Sequence, residues 1–147
     1  MKLSTRSRYG ARAMVELAAA YPQGAVSVRE LSGLLLVSVK YLEQILAVLK
    51  GAGLVKSARG AGGGYAIARQ PADIRLSEVV LALEGSFSLV DCIADPESCP
   101  LHVSCPTRDI WREVSNAMEN TLDGISMQDL VERKRLKCRS GALVYNI

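Results

Sequence analysis

Aromatic residues are scarce in this chain of 147 residues, which contains one Trp, one Phe and five Tyr. Hydrophobic residues nevertheless make up 49% of the sequence, so the core has to be built from Leu, Val, Ile and Ala. That composition favours packed helices and argues against an all-β sandwich. The sequence also lacks internal repeats and low-complexity tracts. Its length is that of one ordinary domain, or of a small domain with a helical extension.

Long apolar runs are missing as well. No stretch approaches the roughly 20 residues that a membrane span requires, and the first residues lead into an amphipathic helix without the apolar segment of a signal peptide. We therefore expect a cytoplasmic protein with no membrane partner. In that reducing compartment, the four cysteines are expected to serve as thiolate ligands or redox centres rather than as disulfides.

Charge is distributed unevenly along the chain. Residues 1–75 hold 11 Lys and Arg against 4 Asp and Glu, a net charge of +7. Residues 76–147 hold 7 against 11, a net charge of −4. The two segments are therefore predicted to have different partners, and the basic segment 1–75 is the candidate for contact with DNA.

The pattern of the basic segment predicts three helices. A first helix is expected over residues 7–21, and Ser27 with Glu30 forms a capping box that begins a second helix, with Leu34 directed inward. A third begins at Ser38. Its apolar residues Leu42, Ile45, Leu46 and Leu49 follow one helical face, and Lys40, Glu43 and Gln44 follow the opposite face. Two short helices with a polar outer face indicate a helix-turn-helix, although a helical hairpin in any small α domain would share this pattern.

A wing is predicted directly after these helices. Two short apolar segments, over residues 54–59 and 65–69, flank the glycine-rich turn 60–64. Glycines let a loop follow a narrow groove closely, and Arg59 at the base of the turn is suited to the DNA minor groove. A nucleotide-binding phosphate loop is the competing interpretation. It is disfavoured because no Lys-Ser/Thr follows the glycines and because a strand, rather than a helix, comes next.

These motifs together resemble the IscR/NsrR family of bacterial winged-helix repressors. The resemblance rests on Arg8-Tyr9, on Tyr41-Leu42-Glu43-Gln44, and on Arg59-Gly60 with Gly62-Gly63-Gly64-Tyr65. It implies a mainly α fold, with a winged helix-turn-helix domain over 1–75 and a long C-terminal dimerisation helix. It also implies a homodimer that binds double-stranded DNA at a pseudo-palindromic operator. The DNA-contacting residues carried over by the resemblance are Ser38, Lys40, Tyr41, Glu43, Gln44, Arg59 and Gly60.

Three cysteines in the acidic segment are the candidate sensor. Cys92, Cys99 and Cys105 are separated by six and five residues, gaps too wide for the paired Cys-x-x-Cys knuckles of zinc ribbons. A Pro-containing loop of this length, about 91–106, can fold three thiolates around one inorganic centre, and an iron-sulfur cluster fits best. The family resemblance implies ligation by these three cysteines with a fourth ligand that is not cysteine. We favour one 2Fe-2S cluster per subunit over a 4Fe-4S cluster.

The fourth ligand is where this chain departs from the family pattern. Arg108 stands where IscR-like members have a histidine, and Arg8 stands where some nitric-oxide sensors are acidic, so neither can bind iron. The only histidine, His102, lies inside the loop and is the candidate. Other open possibilities are Asp95, Glu97, Glu43 from an adjoining surface, and an exogenous ligand. Cys138 lies in a basic tail that we expect to be partly disordered, and it is not predicted to be a ligand.

A strongly periodic helix follows the cysteines, from Pro106 to about Leu122. Packing against its own domain is one explanation of its apolar stripe, but the winged-helix unit accounts for its own core, so self-association is favoured. The predicted dimer interface consists of Ile110, Trp111, Val114, Ala117, Met118 and Thr121. A last short helix is expected after Ser126, packed back onto the body.

The sequence therefore predicts a dimeric transcription regulator that senses iron-sulfur status and controls genes of iron-sulfur cluster biogenesis, following the IscR branch of the family. The alternatives are a nitric-oxide or redox sensor of the same family, a zinc-stabilised DNA-binding module, and a cluster-free winged-helix repressor. An enzyme is not expected. No Cys/His or Ser/His pair has catalytic spacing, and no radical-type Cys-x-x-x-Cys-x-x-Cys motif is present.

Overall fold

A computed structural model describes residues 2–144 of the chain, with side chains described for residues 2–140. The fold is mainly helical, as predicted, and contains one small antiparallel sheet. Short 3-10 turns at Pro71–Asp73 and Pro96–Ser98 connect the longer elements. The elements are, in order, α1 (Thr5–Ala19), α2 (Val28–Leu35), α3 (Val39–Gly51), β1 (Val55–Ala58), β2 (Gly64–Ile67), α4 (Leu76–Glu84), α5 (Asp91–Ala94), α6 (Pro106–Asp123) and α7 (Met127–Val144).

Serine side chains define the starts of the first three helices. Ser4, Ser27 and Ser38 are the N-caps of α1, α2 and α3, and each hydroxyl accepts a hydrogen bond from a backbone N–H three residues later. The axes of α2 and α3 cross at 110°, within the usual range of a helix-turn-helix. The predicted helix-turn-helix and its following wing are therefore both present.

The second half of the chain packs back onto the first. The backbone N–H of Leu76 donates to the Ile125 carbonyl (2.8 Å), and that of Met127 donates to the Ile74 carbonyl (2.9 Å). Met127 and Val131 of α7 are buried in the same core as Leu17 of α1. Residues from both predicted segments thus share one core, which places α7 along α1.

Three local predictions are wrong. Leu34 is 57% exposed rather than directed inward, and the neighbouring Leu35 is buried in its place. The last helix is long, with 18 residues. It includes the basic stretch 133–139, which is helical rather than a partly disordered tail.

No single helix among the described residues is long and apolar enough to cross a membrane; only α2 and α3 taken together, as a bent pair, have the length and composition.

Candidate nucleic-acid interface and cysteine loop

Helix α3 separates an apolar face from a polar one. Leu42, Ile45, Leu46 and Leu49 are buried, while Lys40, Glu43 and Gln44 are exposed. The opposite-face pattern predicted from the sequence is therefore present in the structure. These three exposed residues carry one positive charge, one negative charge and one amide, a mixture able to distinguish base edges by hydrogen bonding.

An aromatic contact fixes the N-terminal end of α3 against α1. The rings of Tyr9 and Tyr41 meet edge to face, with centroids 6.3 Å apart and planes at 88°. The guanidinium of Arg12 stacks over the Tyr9 ring, 5.4 Å from its centroid. Tyr41 is half-buried in this cluster, so the ring has a structural role as well as its predicted place at the DNA. Arg12 is not among the residues predicted from the sequence, although its position three residues after Tyr9 on a helix is the signal for such a pair.

The wing is a two-stranded antiparallel hairpin. Val55 pairs with Ile67 and Ala58 with Gly64, and the five residues between the strands include the exposed Arg59 and Gly60. A third segment extends the sheet. The backbone N–H and carbonyl of Val26, before α2, exchange hydrogen bonds with those of Tyr65 (2.8 and 2.9 Å). The wing is thereby attached to the helix-turn-helix at its base, and Arg59 lies at its outer turn.

Two glycines of the wing are required by close backbone approach. A Cβ on Gly64 would lie 2.2 Å from the Val26 carbonyl oxygen, and one on Gly63 would lie 2.7 Å from that of Gly60. Gly62, by contrast, has nothing within 4 Å of its Cβ position. The glycine run therefore serves the hairpin geometry at positions 63 and 64, apart from any contact with DNA.

The three predicted ligands lie on one segment between α4 and α6. Cys92 is on α5, Cys99 follows the 3-10 turn, and Cys105 is the N-cap of α6, with Pro106 as the first helical residue. All three are half-buried. Among residues 2–144, however, no three His, Cys, Asp or Glu side chains are close enough together to hold a metal ion. The donor chemistry suits an iron centre, but the loop in this conformation does not fit one.

Cys105 has the environment of a reactive thiol. Its Sγ lies 3.2 Å from the Thr107 hydroxyl. That hydroxyl and the backbone N–H of Arg108, at the N-terminus of α6, stabilise the thiolate and lower the pKa of Cys105 below the ordinary value of a thiol. Cys105 thus lies at the N-terminus of the helix that the sequence predicts from Pro106.

Two side chains tie the loop to its own backbone. Arg108 Nε donates to the Cys92 carbonyl (2.9 Å), and His102 Nδ1 lies 2.9 Å from the Cys99 carbonyl and donates to it. These contacts position His102 and the backbone at Cys92 and Cys99. Cys138 lies apart from the loop, exposed on α7.

Helix α6 presents an apolar surface to solvent. Ile110, Trp111 and Val114 are 51%, 42% and 38% exposed, and Ala117 and Thr121 continue the exposed side. Met118 differs from the rest of the predicted interface. It is half-buried and lines a cavity of its own protomer together with Val80, Phe87 and Leu89. The other side of α6 is held by Ser115, whose hydroxyl accepts from the Leu89 backbone N–H.

Known proteins share these features over most of the chain. The Rrf2 family model, described as an iron-dependent transcriptional regulator, matches residues 3–133. The protein rrf2 of Nitratidesulfovibrio vulgaris is 40% identical over 131 residues, covering 89% of this chain and 87% of that protein. Two solved structures are similar in fold as well as in sequence. CymR, the global cysteine regulator of B. subtilis, has a TM-score of 0.77 at 34% identity, covering 90% of this chain and 98% of its own. T. potens IscR has a TM-score of 0.73 at 36% identity, covering 91% and 88%.

The family identifies the class of protein. Its members are transcriptional regulators and not enzymes. The chain is about equally similar to CymR and to IscR, so the similarity does not assign it to either regulator. The chain belongs to the Rrf2 family of transcriptional regulators.

Proposed function

We propose that this regulator is a homodimer that binds a pseudo-palindromic operator through α3 and the wing. The observation that carries the proposal is the division of α3 into a buried apolar face and an exposed face of Lys40, Glu43 and Gln44. A recognition helix needs such a face to enter the major groove. In this arrangement Ser38, Lys40, Tyr41, Glu43 and Gln44 approach the major groove, and Arg59 with Gly60 approaches the minor groove.

Dimerisation in this proposal uses the exposed side of α6. A helix that exposes Ile110, Trp111 and Val114 leaves apolar area in water that association would bury. A two-fold symmetric pair of α6 helices would also place two copies of α3 in a fixed relation. Such a relation lets a dimer read two half-sites about one helical turn of DNA apart.

The cysteine loop is the proposed sensor, and an iron-sulfur cluster is the prosthetic group that it is proposed to bind. The family description as iron-dependent supports an iron signal, and Cys92, Cys99 and Cys105 supply the thiolates that iron-sulfur clusters prefer. A cluster would supply a redox-active, chemically labile centre. Binding it would require the loop to rearrange, because in the present conformation no three metal-binding side chains of the described residues are grouped. His102 is the candidate fourth ligand, since its Nδ1 is engaged with the Cys99 carbonyl and its Nε2 stays available.

A second candidate is direct thiol sensing without a cluster, at the same loop. The lowered pKa of Cys105 favours the thiolate that reacts with oxidants and disulfides. Similarity to the cysteine regulator CymR is consistent with this alternative. A role for this chain in regulating iron-sulfur biogenesis genes belongs to the cluster proposal only.

Purification without oxygen, followed by visible absorption and by iron, sulfide and zinc analysis, tests the sensor. For the cluster, we expect charge-transfer bands together with iron and acid-labile sulfide. Cys99→Ala is expected to lose all of these and to remain a dimer. A colourless protein without metal would favour thiol sensing. Zinc without absorption would contradict both candidates and indicate a structural metal site.

Selection of operators from a random DNA library, followed by titration at several salt concentrations, tests DNA binding. Arg59→Ala is expected to weaken operator binding by about 1–3 kcal/mol and to lower the salt slope by about 1. Arg112→Ala is the matched control, since Arg112 on α6 has only a 3.6 Å ion pair with Asp109. Equal losses in the two variants would contradict the role proposed for the wing.

A further inference from the structure

A hydrogen bond at the surface joins the end of α3 to the first strand of the wing. The Nζ of Lys50 donates to the Oγ of Ser57 (2.8 Å), and both side chains are exposed. Lys50 is the basic residue in the last turn of α3, and Ser57 lies on β1, two residues before Arg59. The bond therefore connects the two elements that are proposed to contact DNA.

The turn between α3 and β1 determines this contact. The chain reverses after α3, because Gly53 has a φ of 72° and the backbone N–H of Leu54 donates to the Leu49 carbonyl (2.9 Å). The strand then runs back past the last turn of the helix. Side chains alternate along a strand, so Ser57 lies on the same side of β1 as the buried Val55. That side is the one directed towards the core and α3.

The two side chains retain unused hydrogen-bonding capacity. An ammonium group has three donors, of which Ser57 takes one, and a hydroxyl that accepts a hydrogen bond can still donate its own proton. Neither side chain forms another hydrogen bond within the part of the chain that the structure describes, and Lys50 forms no ion pair there. A positive charge and two kinds of donor thus meet at one exposed point. An anionic oxygen with several lone pairs, such as that of a phosphate, suits this arrangement.

The position of the pair indicates which phosphate it would meet. The exposed side of α3 continues to Lys50 with a spacing of three or four residues, through Lys40, Glu43, Gln44 and Ala47. In the proposed complex α3 lies in the major groove and Arg59 in the adjacent minor groove. A phosphodiester backbone separates adjacent grooves, so it has to pass the junction of α3 and β1. Lys50 and Ser57 are located at that junction.

We infer that Lys50 and Ser57 together bind one backbone phosphate in each half-site of the operator, between the major and minor grooves. The inference rests on the proposed DNA-binding function and adds a site to it. A phosphate carries no sequence information, so this site sets the register of the protein on DNA rather than its base preference. Because its two residues belong to different elements, the bound phosphate fixes the wing relative to α3. Arg59 thereby enters the minor groove at a constant distance from the bases that α3 contacts.

Operators in which one phosphate at a time is replaced by a neutral methylphosphonate test the site. Wild-type protein is expected to lose about tenfold in affinity at one position of each half-site, between the bases contacted by α3 and those beside the wing. Lys50→Met is expected to bind the unmodified operator about tenfold more weakly for each half-site. At the same modified position, it should lose less than about twofold more.

Lys56→Met is the matched control for the loss of charge. Lys56 is the neighbouring exposed lysine of β1, but it lies on the opposite side of the strand from Ser57. This variant should remain as sensitive as the wild type to the methylphosphonate at that position. Equal sensitivity of Lys50→Met and the wild type at every position would overturn the inference.

Salt dependence and a double variant separate this site from other roles. Lys50→Met should lower the salt slope by about 1 for each half-site and should weaken binding to operator and random DNA equally. Ser57→Ala should add little to the loss in Lys50→Met, because both side chains bind the same phosphate. The urea midpoint should stay unchanged in both variants, since an exposed bond contributes little to stability.

Additive losses in the double variant would overturn the shared site. A loss confined to the operator would do so too, because it would show that Lys50 contacts bases. A wild-type chain that selects no operator would instead contradict the proposed function on which the site rests.

Discussion

At the scale of single residues, two features give this regulator its chemistry: a recognition face with both charges and a thiol at a helix N-terminus. Glu43 lies between the exposed Lys40 and Gln44 on α3. A carboxylate accepts a hydrogen bond from the amino group of cytosine and is repelled by phosphates and purine acceptors. Glu43 is therefore the residue of this face best suited to reject incorrect sequences.

Replacing Glu43 with Gln should relax sequence preference at one position of each half-site. The amide can pair with adenine as well, so discrimination against the wrong base is expected to fall by about 1–3 kcal/mol there. Affinity for random DNA should rise, because a negative charge is removed next to phosphates. Competition binding with operators substituted at each position measures both effects. An unchanged preference at every position would show that Glu43 does not face the bases.

Cys105 should react with iodoacetamide at lower pH than an ordinary thiol, because its lowered pKa gives more thiolate near neutral pH. Thr107→Val removes the hydroxyl that contributes most to this shift. The pH midpoint of alkylation is therefore expected to move upward in that variant. A chain with Cys105 as its only cysteine permits the measurement by mass spectrometry. Identical midpoints with and without the hydroxyl would contradict the proposed stabilisation of the thiolate.

At the scale of elements, the wing depends on how its strands meet the segment before α2. Gly64 lies against the Val26 backbone, whose carbonyl accepts the hydrogen bond of Tyr65. A side chain at position 64 would have to displace this backbone rather than a flexible side chain. The hairpin is thus positioned by a contact between segments distant in sequence.

Gly64→Ala is expected to destabilise the protein by about 1–3 kcal/mol and to weaken operator binding, because the new Cβ displaces Val26 from the sheet. Gly62→Ala is the control in the same loop. With nothing within 4 Å, its effect on the free energy of unfolding should stay within about 0.5 kcal/mol. Urea unfolding of the two variants gives the comparison. Equal stability would mean that the wing tolerates the displacement.

Sequence alone predicts those elements whose signals are local. Ser27 and Ser38 cap their helices as expected, and the periodic pattern from Pro106 defines α6 to within one residue. Leu34-Leu35-Leu36 is an unbroken apolar run, so periodicity cannot select the buried residue, and packing against α1 selects Leu35. The loop conformation depends on a long-range bond from Arg108 to the Cys92 carbonyl. No local pattern encodes that bond.

The length of α7 likewise depends on both local and long-range interactions. Ser126 and Asp129 cap the start of this helix, with reciprocal hydrogen bonds of 3.1 and 2.8 Å. The following basic stretch suggests a solvated tail when only its charge is considered. Arg, Lys, Glu and Leu are also good helix formers, and Lys134 is anchored to Glu16 of α1. Local propensity together with one tertiary contact therefore extends the helix.

At the scale of the whole molecule, α6 connects the cysteine loop to the proposed dimer. It begins at Cys105, exposes its apolar side, and ends where α7 joins the core. A change in the cysteine loop would therefore act on the element that sets the distance between two recognition helices. Regulation requires that the two states of the loop differ in their affinity for DNA.

Ile110→Glu should convert the dimer to a monomer at micromolar concentration, because it places a charge on the apolar surface of α6. The Ile110 side chain is 51% exposed in one protomer. The folded protomer should keep its thermal stability, because Ile110 is not part of its core. Operator affinity should fall, because one recognition helix reads only half of the site and loses the contacts of the other. Leu81→Glu, at a residue 43% exposed on α4 and outside both the cysteine loop and α6, is the control, and sedimentation with operator binding measures both variants. A dimeric Ile110→Glu protein with full affinity would place the interface elsewhere and would separate the cysteine loop from the spacing of the recognition helices.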